Sequence, residues 1–290
     1  MLIEPKAANL VEKYGLVPQP LYPDTYNAQN SRRMDSLITT KLREDAYQLR
    51  DLGKGSSSTA RKTLGSVKDK MMRDIHRILI VTLGPPPNPN ETLLWEYHDK
   101  DDKLQTKSFT PLELAAELEG KEAIFANSGV NVNQLFSLVN DPRNDYNKLL
   151  SVDRLGNVIG LRQIRYVNVS METMKAACIA MLKADIPIFF GSDVGKHSNS
   201  QSGIMDLDLI DYELGFGVTL GMDKAQRLLT GESLMTHAMV LTAVHLDEDG
   251  KPLRWRVQNS WGEGSGTKGW FVMTDGWMDE FVYQAVVDPR

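Results

Sequence analysis

The stretch from Thr236 to Trp261 constrains this chain most, because it joins a β-hairpin pattern to a histidine near one end and an asparagine near the other. Met239–Val244 is apolar and β-prone, Asp247-Glu248-Asp249-Gly250 is turn-forming, and Leu253–Gln258 carries apolar side chains at alternate positions. Two such runs around a glycine-ended turn read as a hairpin, which commits this part of the chain to antiparallel β structure. Leu253, Trp255 and Val257 share one face of the second arm, and the two-residue period of a strand adds Asn259 to it. A loop of about five residues ending at Gly250 sets His237 opposite Asn259, and other loop lengths shift the match by a residue or two.

An amide carbonyl beside an imidazole accepts one ring N–H, which fixes the tautomer and leaves the other ring nitrogen to act on a nucleophile. That is the orienting half of a Cys-His-Asn site, with Trp261 near enough to shield the hydrogen bond from water. The same spacing also describes a strand histidine satisfied by a polar neighbour. At this level geometry leaves both readings open.

Other residues narrow the choice. Thr236-His237-Ala238-Met239, Trp255-Arg256-Val257-Gln258-Asn259-Ser260-Trp261-Gly262, Lys268-Gly269-Trp270 and Met273-Thr274-Asp275 resemble the C-terminal half of a papain-like cysteine peptidase. More narrowly, Gly231–Met239 resembles the bleomycin hydrolase family, and the likeness continues through Phe190–His197, Val139–Arg143 and Trp95-Glu96-Tyr97. The resemblance implies an α+β, papain-like fold and a thiol aminopeptidase and amide hydrolase. His237 would be its general base and acid, Asn259 the orienter and Trp261 the cover, with no cofactor and no metal. It also implies a homo-oligomer, a hexameric ring joined in part through a helical insertion, and a C-terminal arm that restricts cleavage to chain ends.

One part of the family pattern is missing. A papain-like enzyme takes its nucleophile from a Cys-Gly-Ser-Cys-Trp type segment opening a helix, behind an oxyanion-hole glutamine. Neither segment occurs among these 290 residues. The one cysteine, Cys178, shares a helical stripe with Met174 and Met181 and reads as a buried structural thiol. The expected fold is therefore incomplete, with residues 121–290 forming the β-rich lobe and residues 1–120 a helical-hairpin insertion with a short β-hairpin. The expected activity belongs to the parent protein. The alternative is a non-catalytic truncated or structural subunit.

Composition enters as exclusions. A net charge of −5 gives no general pull toward nucleic acid or anionic membrane, and no apolar run is long enough to span a bilayer. The five histidines show no paired zinc spacing, and a single cysteine rules out an internal disulfide. Asp206–Asp211 fails the calcium-loop spacing, no Gly-x-Ser-x-Gly elbow offers a serine nucleophile, and Gly53–Thr59 lacks the phosphate-loop pattern. The resemblance implies a peptide or amino-acid amide as substrate. The expected compartment is the cytosol, with the mitochondrion as alternative.

The rest of the chain reads by periodicity. Glu4–Tyr14 is a short helix. Met34, Leu37, Ile38, Leu42, Ala46, Leu49 and Leu52, then Leu64, Val67, Met71, Ile75, Ile78, Leu79 and Thr82, form two stripes that predict an αα-hairpin. Leu93–His98 and Lys103–Phe109 predict a second β-hairpin, and Thr110-Pro111-Leu112-Glu113 a capped helix ending near Gly120. Ser170 caps the helix that holds Cys178. Strands are expected at Leu149–Val152, Ile164–Val169, Ile186–Phe190, Trp270–Thr274 and Phe281–Val287, with Gly191–Gly195 as a tight loop before His197.

Overall fold

The computed structural model describes residues 4–54, 58–117 and 134–289 apart from 154, 157, 159 and 162, without the side chains of 4–7 and 58–62. Helix α1 (Glu4–Tyr14) opens it where the periodicity predicts. The chain divides into two compact units, Tyr14–Ala115 and Met1–Lys13 with Ala116–Arg290.

In the Tyr14–Ala115 unit a short α2 (Tyr26–Gln29) leads into α3 (Arg32–Leu52) and α4 (Ser58–Leu83), which pack together. The stripe on α4 is as expected, with Met71 and Ile75 buried. That on α3 is corrected: Leu37, Leu42 and Leu52 are exposed, and the inward row runs through Met34, Ile38, Lys41, Asp45 and Leu49. This row keeps the helical period better, and it buries Asp45 because Lys41 Nζ reaches its Oδ1 at 2.5 Å one turn away. Strands β1 (Leu93–His98) and β2 (Leu104–Phe109) form the expected antiparallel hairpin. Thr110 and Glu113 then make both reciprocal bonds of a capping box at the start of α5 (Pro111–Glu117). The end expected near Gly120 lies outside the described residues.

The larger unit is built on a sheet. Its elements are β3 (Phe136–Val139), β4 (Lys148–Leu150), β5 (Tyr166–Asn168), α6 (Met171–Lys183), β6 (Ile188–Ser192), β7 (Ser198–Asn199) and β8 (Ile204–Met205). They continue with α7 (Tyr212–Phe216), α8 (Lys224–Thr230), β9 (His237–Leu246), β10 (Pro252–Gln258), β11 (Trp270–Thr274), α9 (Asp275–Phe281) and β12 (Val282–Val287). Among the described residues ten strands form one sheet in the order β4-β5-β3-β12-β6-β9-β10-β11-β8-β7. Neighbours are antiparallel except β3 with β5 and β8 with β11. Trp255, Phe271, Met273, Trp277, Phe190, Met239 and Leu241 are buried with Met174 and Cys178 of α6 in one core. Gly191 and Ser192 correct the expected loop, because they are the last residues of β6 and pair with Ala238 and His237. The central position of β6 and β9 thus puts His237 in the middle of the sheet, at the start of β9 and paired with Ser192 at the end of β6.

Candidate active site

The hairpin β9–β10 exists, but its register is not the one predicted. Irregularities between Pro252 and Arg254 and between Arg256 and Val257 shift the pairing, and the ladder ends at Gln258 opposite Val240. Continued straight, it would set Asn259 against Met239 and not His237. The first irregularity also exposes Leu253, whereas Trp255, Val257 and Asn259 keep to the buried face. Past the end of β10, Asn259 donates its N–H to Gly269 O at 3.0 Å, and the chain then turns at Gly262 with φ of 83°. From there the side chain reaches across to His237, the first residue of β9.

His237 Nε2 and Asn259 Oδ1 are 2.8 Å apart. An amide oxygen only accepts, so Nε2 carries the proton, and in the neutral ring Nδ1 is left with a free lone pair. Oδ1 also accepts the Ser260 N–H at 2.8 Å. Nδ2 of Asn259 is buried and meets no acceptor among the described residues. The Trp261 ring lies 4.8 Å from the imidazole at an interplanar angle of 32°, and Phe271 holds it edge-on at 6.1 Å. An indole over the imidazole keeps water from competing for the Nε2–Oδ1 bond. The three residues read from the sequence, His237, Asn259 and Trp261, therefore come together.

Two other residues do not join them. Cys178 is buried on α6, and burial pushes its thiol up to about 12, far from a reactive thiolate. His197 sits in the left-handed region with φ of 42°, its Nδ1 2.9 Å from Leu207 O and its ring stacked on Phe281. It lines a separate cavity of about 490 Å³ with Leu207, Asp208, Asp211 and Tyr212. Sequence reasoning missed Asp193, a buried carboxylate bonded to Ser233 and Thr236 just before His237. No local pattern announces a contact made across 40 residues.

An imidazole pinned through one nitrogen by an amide, at the end of an antiparallel sheet and under a tryptophan, has the form of the histidine side of a papain-like cysteine peptidase. Comparison with known proteins leads to the same place: the Peptidase C1-like family matches residues 6–290, and the chain belongs to that family. It is 43% identical over 288 residues to bleomycin hydrolase of Homo sapiens, covering 97% of this chain and 61% of that protein. To the mitochondrial cysteine proteinase 1 of Saccharomyces cerevisiae it is 42% identical over 283 residues, covering 97% of this chain and 56% of the other. Among solved structures, PepW from Lactobacillus rhamnosis superposes with a TM-score of 0.86 at 40% identity, over 98% of this chain and 61% of that one. The chain thus has a papain-like peptidase C1 fold and spans less than two thirds of the length of these relatives.

Proposed function

We propose that this chain carries the histidine and asparagine of a thiol-dependent peptidase and amide hydrolase acting at the N-terminal ends of peptides and on amino-acid amides. The observation that carries the reading is the 2.8 Å bond from Nε2 to Asn259, which leaves Nδ1 as the working nitrogen. In this scheme Nδ1 takes the proton of a cysteine thiol, and the thiolate attacks the substrate carbonyl carbon. The imidazolium then gives its proton to the departing amine, and water, deprotonated by the same nitrogen, hydrolyses the thioester. Asn259 stabilises the imidazolium by accepting a hydrogen bond from its Nε2–H throughout. Cys178, protonated and in the core, is not that thiol. The nucleophile belongs to the parent protein, outside these residues. Restriction to N-termini rests on the resemblance to the bleomycin hydrolase family, as do assembly into a ring and a cytosolic location with a mitochondrial alternative.

The test is hydrolysis of a fluorogenic amino-acid amide by the full-length parent. Asn259→Ala should lower kcat by about 10- to 100-fold, the scale of a misplaced catalytic group. Unchanged kinetics and an unchanged pH–rate profile would remove Asn259 from the mechanism. A second reading, favoured by the burial of Cys178, is that this polypeptide by itself is a non-catalytic subunit. Alkylation-sensitive turnover by the purified chain would overturn that reading.

A further inference from the structure

The segment that leads into His237 is held by one carboxylate. Asp193 follows directly after β6 and is 5% exposed. Its Oδ2 accepts the Ser233 hydroxyl at 2.8 Å and the Leu234 N–H at 3.2 Å, and its Oδ1 accepts the Thr236 hydroxyl at 3.2 Å. Three of the four residues before His237 are thereby tied to a single side chain. All three donors are neutral, so the carboxylate is a hub of charge-assisted hydrogen bonds and not half of an ion pair. Ser233 is fully buried, and because its own proton goes to Asp193 it accepts that of Tyr283, with the two oxygens 2.5 Å apart. Asp193 is anchored in turn, since its N–H donates to Phe281 O at 3.0 Å, and Thr236 N–H donates to Ser192 O at 3.0 Å. The segment starts at Gly231 in the left-handed region and has two further ties, from Ser233 N–H to Arg227 O at 3.1 Å and from Lys196 to Glu232, but Asp193 alone joins three of its residues.

We propose that Asp193 is the positioning residue of His237: by clamping Ser233, Leu234 and Thr236 onto the end of β6 it sets the imidazole where Nε2 meets Asn259. The inference rests on the reading of His237 and Asn259 as base and orienter. Its physical content is a tolerance. A hydrogen bond of 2.8 Å survives only a few tenths of an ångström of displacement, and a residue next to the histidine can move by more once its ties are cut. The Tyr283–Ser233–Asp193 relay extends the clamp into β12, so two strands fix one ring.

The experiment is long-range proton–nitrogen NMR on the full chain labelled at its five histidines, with His237 assigned through His237→Gln. In the wild type His237 should show one tautomer, with the proton on Nε2 and slow to exchange. Asp193→Ala should average the tautomers and lose that ring-proton signal, while the other four histidine signals persist. Asp193→Asn should retain the lock, because its amide oxygen can serve Ser233 and Leu234 while its NH2 donates to Thr236 Oγ1. Should Asp193→Ala fail to fold, Thr236→Val decides, through faster exchange of the Nε2 proton by about fivefold or more, the factor for one lost hydrogen bond. An unaltered His237 signal in folded Asp193→Ala, or unaltered exchange in Thr236→Val, would overturn the proposal and leave Asp193 a tie within the loop alone. A wild-type His237 with no fixed tautomer would instead overturn the base-and-orienter reading, and this inference with it.

Discussion

A single amide oxygen does two things at the site. Oδ1 of Asn259 accepts hydrogen bonds from His237 Nε2–H and from the Ser260 N–H, both at 2.8 Å. The second bond closes the side chain onto the adjoining backbone, so the amide that holds the imidazole is itself held. Trp261 follows two residues later and is 44% exposed, with its inner surface on the imidazole and its outer surface on solvent. What steadies that indole from behind is Phe271, and behind Phe271 the chain packs too closely for any side chain at Gly203. A Cβ there would stand 2.8 Å from both Gly266 Cα and Trp270 O, and the backbone has φ of 71°. Both neighbours are backbone, so neither can swing aside. Gly203→Ala should therefore cost roughly 2–4 kcal/mol, from left-handed strain plus overpacking. The denaturant midpoint should fall with an unchanged slope, and an unshifted midpoint would show that the turn before β8 tolerates the side chain.

Between elements, the contact that stands out joins α8 to α9. Lys224, the first residue of α8, is buried, and its Nζ donates to Asp279 O at 2.8 Å and Val282 O at 2.6 Å, beyond which it lies 4.9 Å from the Tyr283 ring centroid. One turn on, Arg227 pairs with Glu280. Desolvation lowers the Lys224 pKa from 10.5 to about 7. The unfolded chain therefore holds more protons than the folded one between these values, and stability rises with pH across that window and is lost as pH falls toward 7. Lys224→Met leaves two helix-end carbonyls unpaired and should lower stability by about 1–3 kcal/mol. The gap between wild type and variant should widen from neutral pH toward pH 10 in paired melts. A flat or narrowing gap would contradict the buried-amine account. None of this was legible in the sequence, because α7, α8 and α9 are only 5, 7 and 7 residues long and too short to show a stripe. Local grammar did show itself, as in the Thr110–Glu113 capping box, the Ser170 cap and the β9–β10 hairpin. The hairpin was enough to bring His237 and Asn259 together, but its register was hidden by two irregularities that no residue type announces. Asp193 was missed for a third reason, that its partners are distant in sequence.

At the scale of the whole chain, the chemistry separates from the only sulfur that could perform it. His237 starts β9 and Asn259 follows the end of β10, where Trp261 is open to solvent, while Cys178 is enclosed in the core with Met174 and Met181. With its pKa pushed up to about 12, the folded chain at pH 8 would hold only about one thiolate in 10⁴. A disulfide reagent should therefore label native Cys178 far more slowly than the same residue in denaturant, where an ordinary thiol pKa and full access return. The purified chain should likewise give no amide hydrolysis that alkylation abolishes, and Cys178→Ala should leave any residual rate unchanged. Rapid labelling of the native chain, together with turnover lost in Cys178→Ala, would mean that the core opens to bring this thiol within reach of Nδ1. Slow labelling with no thiol-dependent turnover would instead exclude Cys178 as the thiol whose proton Nδ1 of His237 takes in the proposed scheme.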